Sequence, residues 1–129
     1  MSPLEQDEVQ EYYGSSGEFT SVRKLLGPGE KTTAKLLDLG RNYKTKFPIK
    51  DKDYNYRLTL EVDGKRMLLD MNGKDSIKQA IAVLYPNGPK APLVPCFAIL
   101  SRRTERKTYQ GELVIERGDA LSNDENLPI

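Results

Sequence analysis

A chain of 129 residues, 37% hydrophobic and 30% charged, can build one modest core but not two full-sized domains. It has no histidine and a single cysteine, which excludes Ser–His and Cys–His nucleophile pairs, histidine-bearing zinc sites and internal disulfides. Asp51, Asp53, Asp63, Asp70 and Asp75 lack calcium-loop spacing, so the expectation is a binding protein, not an enzyme, with no metal and no cofactor. No run nears the roughly 18 apolar residues of a membrane span. The acidic start MSPLEQDEVQ does not resemble a signal peptide, so a soluble, cytoplasmic protein is expected.

Residues 1–20 carry Glu5, Asp7, Glu8, Glu11 and Glu18 around Gly14-Ser15-Ser16-Gly17. They have neither helical nor strand periodicity and read as a flexible acidic arm. The folded domain is expected over residues 21–118. Ser21 to Leu26 and the turn Gly27-Pro28-Gly29-Glu30 lead into Thr32–Leu39, where Ala34 and Leu36 keep one parity and Leu37 and Leu39 the other. A bulge or bend near Leu36 reconciles the two sets, and Gly40 permits a further turn. Tyr54 to Val62 is the clearest strand, with Tyr56, Leu58, Leu60 and Val62 on one face and Asn55, Arg57, Thr59 and Glu61 on the other. Asp63-Gly64 then predicts a tight hairpin into Lys65–Met71.

After Asn72-Gly73, Asp75 is placed to cap a helix in which Ile77, Ala80, Ile81 and Leu84 form one apolar stripe, ending before Pro86-Asn87-Gly88-Pro89. Val94–Leu100 reads as a strand that buries Cys96 as a small hydrophobe. A polar, basic tip from Ser101 to Thr108 joins it to a last strand, Tyr109–Ile115. Residues 119–129 form an acidic tail expected to be flexible.

The net charge of +1 conceals a division into blocks. Residues 1–30 hold six acids against Arg23 and Lys24, residues 119–129 hold three acids and no base, and residues 31–118 therefore carry +8. A basic body with acidic ends points to a polyanionic partner. The basic residues cluster in two places. Arg41, Lys44, Lys46, Lys50, Lys52 and Arg57 interleave with Tyr43, Phe47 and Tyr54; Arg102, Arg103, Arg106 and Lys107 sit beside Tyr109. Cations hold phosphates and aromatic faces stack unpaired bases, which is the combination single-stranded nucleic acid requires. With Arg66 on the adjoining strand, these fifteen residues are the candidate nucleic-acid contacts; Tyr56, in phase with Leu58 and Leu60, is expected in the core.

Three strands, a helix and two strands match the five-stranded Greek-key barrel of the OB-fold, an all-β or small α+β class with its helix between strands three and four. The first basic cluster falls in the loop between strands one and two and the second in the loop between strands four and five, the two loops that flank the ligand face of that fold. Lys31-Thr32-Thr33-Ala34-Lys35-Leu36-Leu37-Asp38-Leu39, the basic aromatic loop and the strand Tyr56 to Val62 with its turn resemble the single-stranded-DNA-binding OB-fold proteins of viruses and archaea, over residues 22–117.

The C-terminus Asp124-Glu125-Asn126-Leu127-Pro128-Ile129 is similar to the acidic D-D-D-[I/L]-P-F tip of bacterial single-stranded-DNA-binding proteins, departing from it at Asn126 and at the terminal Ile129. The resemblance implies sequence-tolerant binding of single-stranded DNA in replication, recombination or repair. It also implies recruitment of replication or repair enzymes through Asp124, Glu125, Leu127, Pro128 and Ile129. RNA is the near alternative, since stacking and lysines do not distinguish the sugar. A protein-interaction module is the alternative from another class.

Overall fold

A computed structural model describes residues 9–12, 16–104 and 112–120, with Asp119 and Ala120 described by backbone alone. In chain order the elements are β1 (Glu18–Thr20), α1 (Val22–Leu25), β2 (Lys31–Asn42), β3 (Asn55–Val62), β4 (Lys65–Met71), α2 (Lys74–Leu84), β5 (Cys96–Arg102) and β6 (Leu113–Ala120). They form one sheet in the order β1-β4-β3-β2-β5-β6. Among the described residues the sheet has six strands instead of the five expected of an OB-type Greek-key barrel, and it is not closed.

The sixth strand comes from the segment expected to be an unstructured arm. Glu18, Phe19 and Thr20 lie parallel to Met67, Leu68 and Leu69 of β4. A three-residue parallel pairing leaves no periodic signal for sequence reading to detect. The other five strands have a Greek-key arrangement: β2, β3 and β4 follow one another as antiparallel neighbours, and β5 returns to the far side of β2.

β2 belongs to two ladders. Lys31 to Leu36 pair with β5, Lys35 to Asn42 pair with β3, and the register slips between Leu36 and Asp38. The extra residue, Leu37, is the bulge that the parity change near Leu36 requires, and it turns both Leu36 and Leu39 into the core. Gly40 is not a turn. It lies inside β2 with the backbone of Tyr12 against it, so closely that a Cβ there would come within 2.7 Å of the Tyr12 nitrogen.

The β3–β4 hairpin closes through Asp63 and Gly64 at φ 52° and 79°, both signs as a type I′ turn demands. Its inward residues Tyr56, Leu58, Leu60, Leu69 and Met71 are all buried. α2 packs mainly against β6, with β2 and β5 next, and adds Ile77, Ala80, Ile81 and Leu84, each 0% exposed, to the same core, which is the expected stripe. Gly73 rather than Asp75 occupies the N-cap of α2 and makes no side-chain bond; Asp75 sits in the first turn, where its charge suits the helix dipole. Cys96 is buried, as expected, with burial raising its thiol pKa.

The row stays open at β6 for a visible reason. Gln79 of α2 reaches the outer edge of that strand, donating from Nε2 to the Leu113 carbonyl at 3.1 Å and accepting from the Ile115 amide at 2.7 Å. One side-chain amide thus supplies the donor and acceptor that a neighbouring strand would bring. Gln79→Ala leaves both groups without that partner, and a loss of about 1–3 kcal/mol is expected in urea unfolding, with the β3–β4 half of the sheet unchanged in its amide protection.

Candidate nucleic-acid interface

The loop between β2 and β3 is fixed by its own polar groups. Asn42 Nδ2 donates to Asn55 Oδ1 at 3.2 Å, Asn55 Nδ2 to Thr45 Oγ1 at 2.9 Å, and the Phe47 amide to the same hydroxyl at 2.9 Å. Both asparagines are buried and bonded to each other, so the two ends of the loop are held at a set separation. Further out, the Ile49 amide bonds the Tyr54 carbonyl and the Lys52 amide bonds the Ile49 carbonyl, each at 2.9 Å, with Ile49 itself buried. Asp51 at φ 68° gives the reversal between them.

With Ile49 and Tyr54 turned inward, the loop presents Lys44, Lys46, Lys50 and Lys52 outward, all exposed. Phe47 stands among them 72% exposed and Tyr43 41% exposed. Asn72 Nδ2 donates to the Phe47 carbonyl at 3.4 Å, which ties the backbone beneath the exposed ring to the end of β4. Arg41 lies at the base: its Nη1 donates to the Tyr43 hydroxyl at 2.7 Å and its guanidinium faces the Tyr43 and Tyr54 rings at 5.6 and 5.7 Å.

Tyr54 departs from the expected stacking role. It is only 4% exposed and packs between Tyr43 and Tyr56, at 5.2 and 5.8 Å between ring centroids. It marks the point where the strand alternation of β3 begins, and its ring follows Tyr56 into the core. Tyr56 is 0% exposed, as its phase with Leu58 and Leu60 predicts.

Arg57 and Arg66 lie not in the loop but on the outer face of β3 and β4. Arg66 is exposed. Arg57 makes a bidentate pair with Asp70, at 2.6 and 3.0 Å, and this pairing raises its pKa further.

At the second cluster Arg102 is a structural residue. Its Nε meets Glu112 at 3.1 Å and its Nη1 meets the Leu26 carbonyl at 3.1 Å, so it ties β5 to the segment after α1. Arg23, carried on α1 whose first turn is capped by Ser21, meets the same Glu112 at 2.9 Å. Arg103 is half-buried, and its amide bonds the Glu112 carbonyl at 2.7 Å. Arg106, Lys107 and Tyr109, and the partner tip Asp124, Glu125, Leu127, Pro128 and Ile129, lie outside the described residues.

Some surface groups that sequence reading did not single out join this region. Phe19 is 60% exposed over Arg57, with the guanidinium 4.8 Å from its ring centre, and Tyr12 faces the same guanidinium at 5.5 Å. Further along the sheet, Lys35 lies over the Phe97 ring at 5.6 Å and 4.0 Å from Glu61, in an open groove of about 240 Å³. A cation in register with an aromatic on the neighbouring strand is the one sequence signal for that last pair, and it needs the strand register to be known first.

Among the described residues there is no cluster of three or more His, Cys, Asp or Glu that could hold a metal ion, and no helix long and apolar enough to cross a membrane. Comparisons with known protein families, with curated proteins and with solved structures returned no match to this chain.

The burial difference gives a direct expectation. Tyr54→Ala should cost about 3 kcal/mol or more in denaturant unfolding, as aromatic truncations in cores do, whereas Phe47→Ala should change stability by no more than about 0.5 kcal/mol. Glu112 supplies a pH test. Hydrogen bonding from Arg23 and the charge of Arg102 hold its carboxyl below the ordinary 4.5. A folded pKa below the unfolded one means that the stabilisation is present above pH 4.5 and is lost as pH falls through the depressed value. Glu112→Gln should therefore melt earlier than the wild type at pH 7, with the gap closing in melts taken below pH 4.5.

Proposed function

We propose that this chain is an OB-type domain that binds single-stranded DNA with little regard to sequence, in replication, recombination or repair. The observation that carries the reading is the exposed Phe47 ring standing among Lys44, Lys46, Lys50 and Lys52 on a loop whose shape is already set. A preordered loop loses little conformational entropy on binding, so its cations and ring can act together. The lysines neutralise phosphates and Phe47, with Tyr43 beside it, offers a face to unpaired bases. Duplex DNA keeps its base faces stacked and can use only the charges.

The architecture agrees with that reading. A Greek-key sheet whose loop between its first two meander strands carries the basic aromatic cluster, with a helix between the third meander strand and the return strand, has the element order of the OB-fold. The family's barrels are themselves partly open. Binding is the whole activity in this reading, and no reaction is assigned. The acidic C-terminal tip is proposed as the element that recruits partner enzymes, through Asp124, Glu125, Leu127, Pro128 and Ile129.

Fluorescent oligo-dT, oligo-U and duplex of equal length, titrated at two or more salt concentrations, test the proposal. Oligo-dT should bind well above duplex, with log affinity falling against log salt by about 0.7 for each phosphate neutralised. Phe47→Ala should lose about 1–3 kcal/mol of affinity and keep its stability. Equal binding of dT and duplex, or binding indifferent to salt, would direct the reading to a protein-interaction module; preference for oligo-U would direct it to RNA.

A further inference from the structure

The outer face of β3 and β4 is occupied by the chain's own N-terminus. Two residues there are buried although they point away from the core: Thr59, 1% exposed, and Leu68, 4% exposed and outside the core cluster. Residues 9–12 and 16–20 lie against them. Gly17 packs on Leu68, so that a Cβ there would stand 3.2 Å from the Leu68 Cγ, and the Tyr12 hydroxyl is 3.5 Å from the Thr59 hydroxyl. The Arg57 guanidinium lies 5.5 Å from the Tyr12 ring centre and 4.8 Å from that of Phe19.

This strap meets the basic loop at Arg41. The Tyr12 amide donates to the Arg41 carbonyl at 2.8 Å, the Arg41 amide to the Gln10 carbonyl at 2.9 Å, and Arg41 Nε to the Val9 carbonyl at 2.6 Å. The same arginine that bonds Tyr43 in the loop is thus also the root of the strap, so the exposed loop and the covered face form one continuous surface.

We propose that the outer face of β3 and β4 continues the single-strand path beyond the β2–β3 loop, and that the strap is its intramolecular occupant, displaced when nucleic acid binds. The proposal rests on the single-stranded reading given above. Three features carry it. The strap offers the face two aromatic rings stacked on a guanidinium, which is the contact a pair of unpaired bases would make. It brings a carboxylate to the basic surface as a nucleic acid brings phosphates: Glu18 pairs with Lys65 at 2.5 Å, and Glu11, exposed, lies in a backbone bridge beside Arg41. Part of it also lies at the surface: Phe19 remains 60% exposed, in a parallel strand of only three residues. Thr59, Leu68 and Arg57 then become ligand contacts once the strap leaves.

Two substitutions in the full-length protein release the strap from opposite sides without altering a proposed nucleic-acid contact. Gly40→Ala puts a methyl group where the Tyr12 and Glu11 backbones lie, with Tyr12 atoms at 2.7 and 2.8 Å, so that the strap must move off β2. Tyr12→Ala removes the ring over Arg57 and the hydroxyl at Thr59. Both variants should show faster hydrogen exchange at the Tyr12 and Arg41 amides. Both should also bind oligo-dT at least about fivefold more tightly at fixed low salt, the lower end of ordinary coupling between sites.

Linkage requires the converse in the wild type: saturating oligo-dT should speed exchange of the Tyr12 amide. Released straps with unchanged or weakened affinity would overturn the proposal, as would a Tyr12 amide equally protected with and without DNA. If wild type and variants alike fail to bind oligo-dT at any salt, the single-stranded reading itself falls. If wild type binds and only the strap results disagree, the strap proposal falls alone.

Discussion

β2 bonds to β5 through its first half and to β3 through its second, and the bulge at Leu37 allows one twelve-residue strand to do both. The bend swings the two ladders around α2, so that Leu36 and Leu39, on opposite sides of the bulge, both face the core. It also ends the pairing with β5 at Leu36, which leaves the edge of β2 beyond that point unpaired by any regular strand. That vacant edge is what Gln10 and Tyr12 bond, at Arg41. The fold of the sheet, the seat of the N-terminal strap and the base of the basic loop all depend on this one change of register.

Desolvation then sorts the charged and aromatic residues into those that hold the fold and those that can meet a ligand. Arg102 and Arg23 share the buried carboxylate of Glu112, and a charged group bonded in this way would have to abandon a partner to reach a phosphate. Arg57 is bonded to Asp70 through its N–H groups, and the Tyr12 and Phe19 ring centres lie 5.5 and 4.8 Å from its guanidinium carbon. Lys44, Lys46 and Lys50 of the β2–β3 loop are exposed, and an exposed ammonium can exchange water for phosphate at little cost. Aromatic residues divide similarly: Tyr54 and Tyr56 fill the core, while Phe47 has nothing but solvent to leave.

An open sheet needs its edges managed, and each end here has its own solution. At β6 the Gln79 amide takes the place of a strand, and the Arg117 guanidinium, reaching the Val83 carbonyl, adds a second tie between strand and helix. At β4 the short β1 covers the edge and carries Phe19 over Arg57. The edge of β4 is therefore served by residues 18–20 and the upper edge of β2 by residues 10–12, both from the N-terminal part of the chain.

Much of this was legible in the residues. The β3 and β4 alternation, the Asp63-Gly64 turn, the helical stripe from Ile77 to Leu84 and the bulge near Leu36 follow from local periodicity and backbone preference, which the chain expresses within a few residues of itself. The basic aromatic loop was equally legible, because charge and aromatic content are properties of composition. Only the tertiary structure decided the rest. It placed Tyr54 inside, tied Arg102 to Glu112 and set Gln79 at the edge of β6, because burial and pairing depend on which groups the fold brings together and not on local pattern. It also turned an aperiodic acidic stretch into a strap, since residues that bond to the vacant edges of other strands need no periodicity of their own.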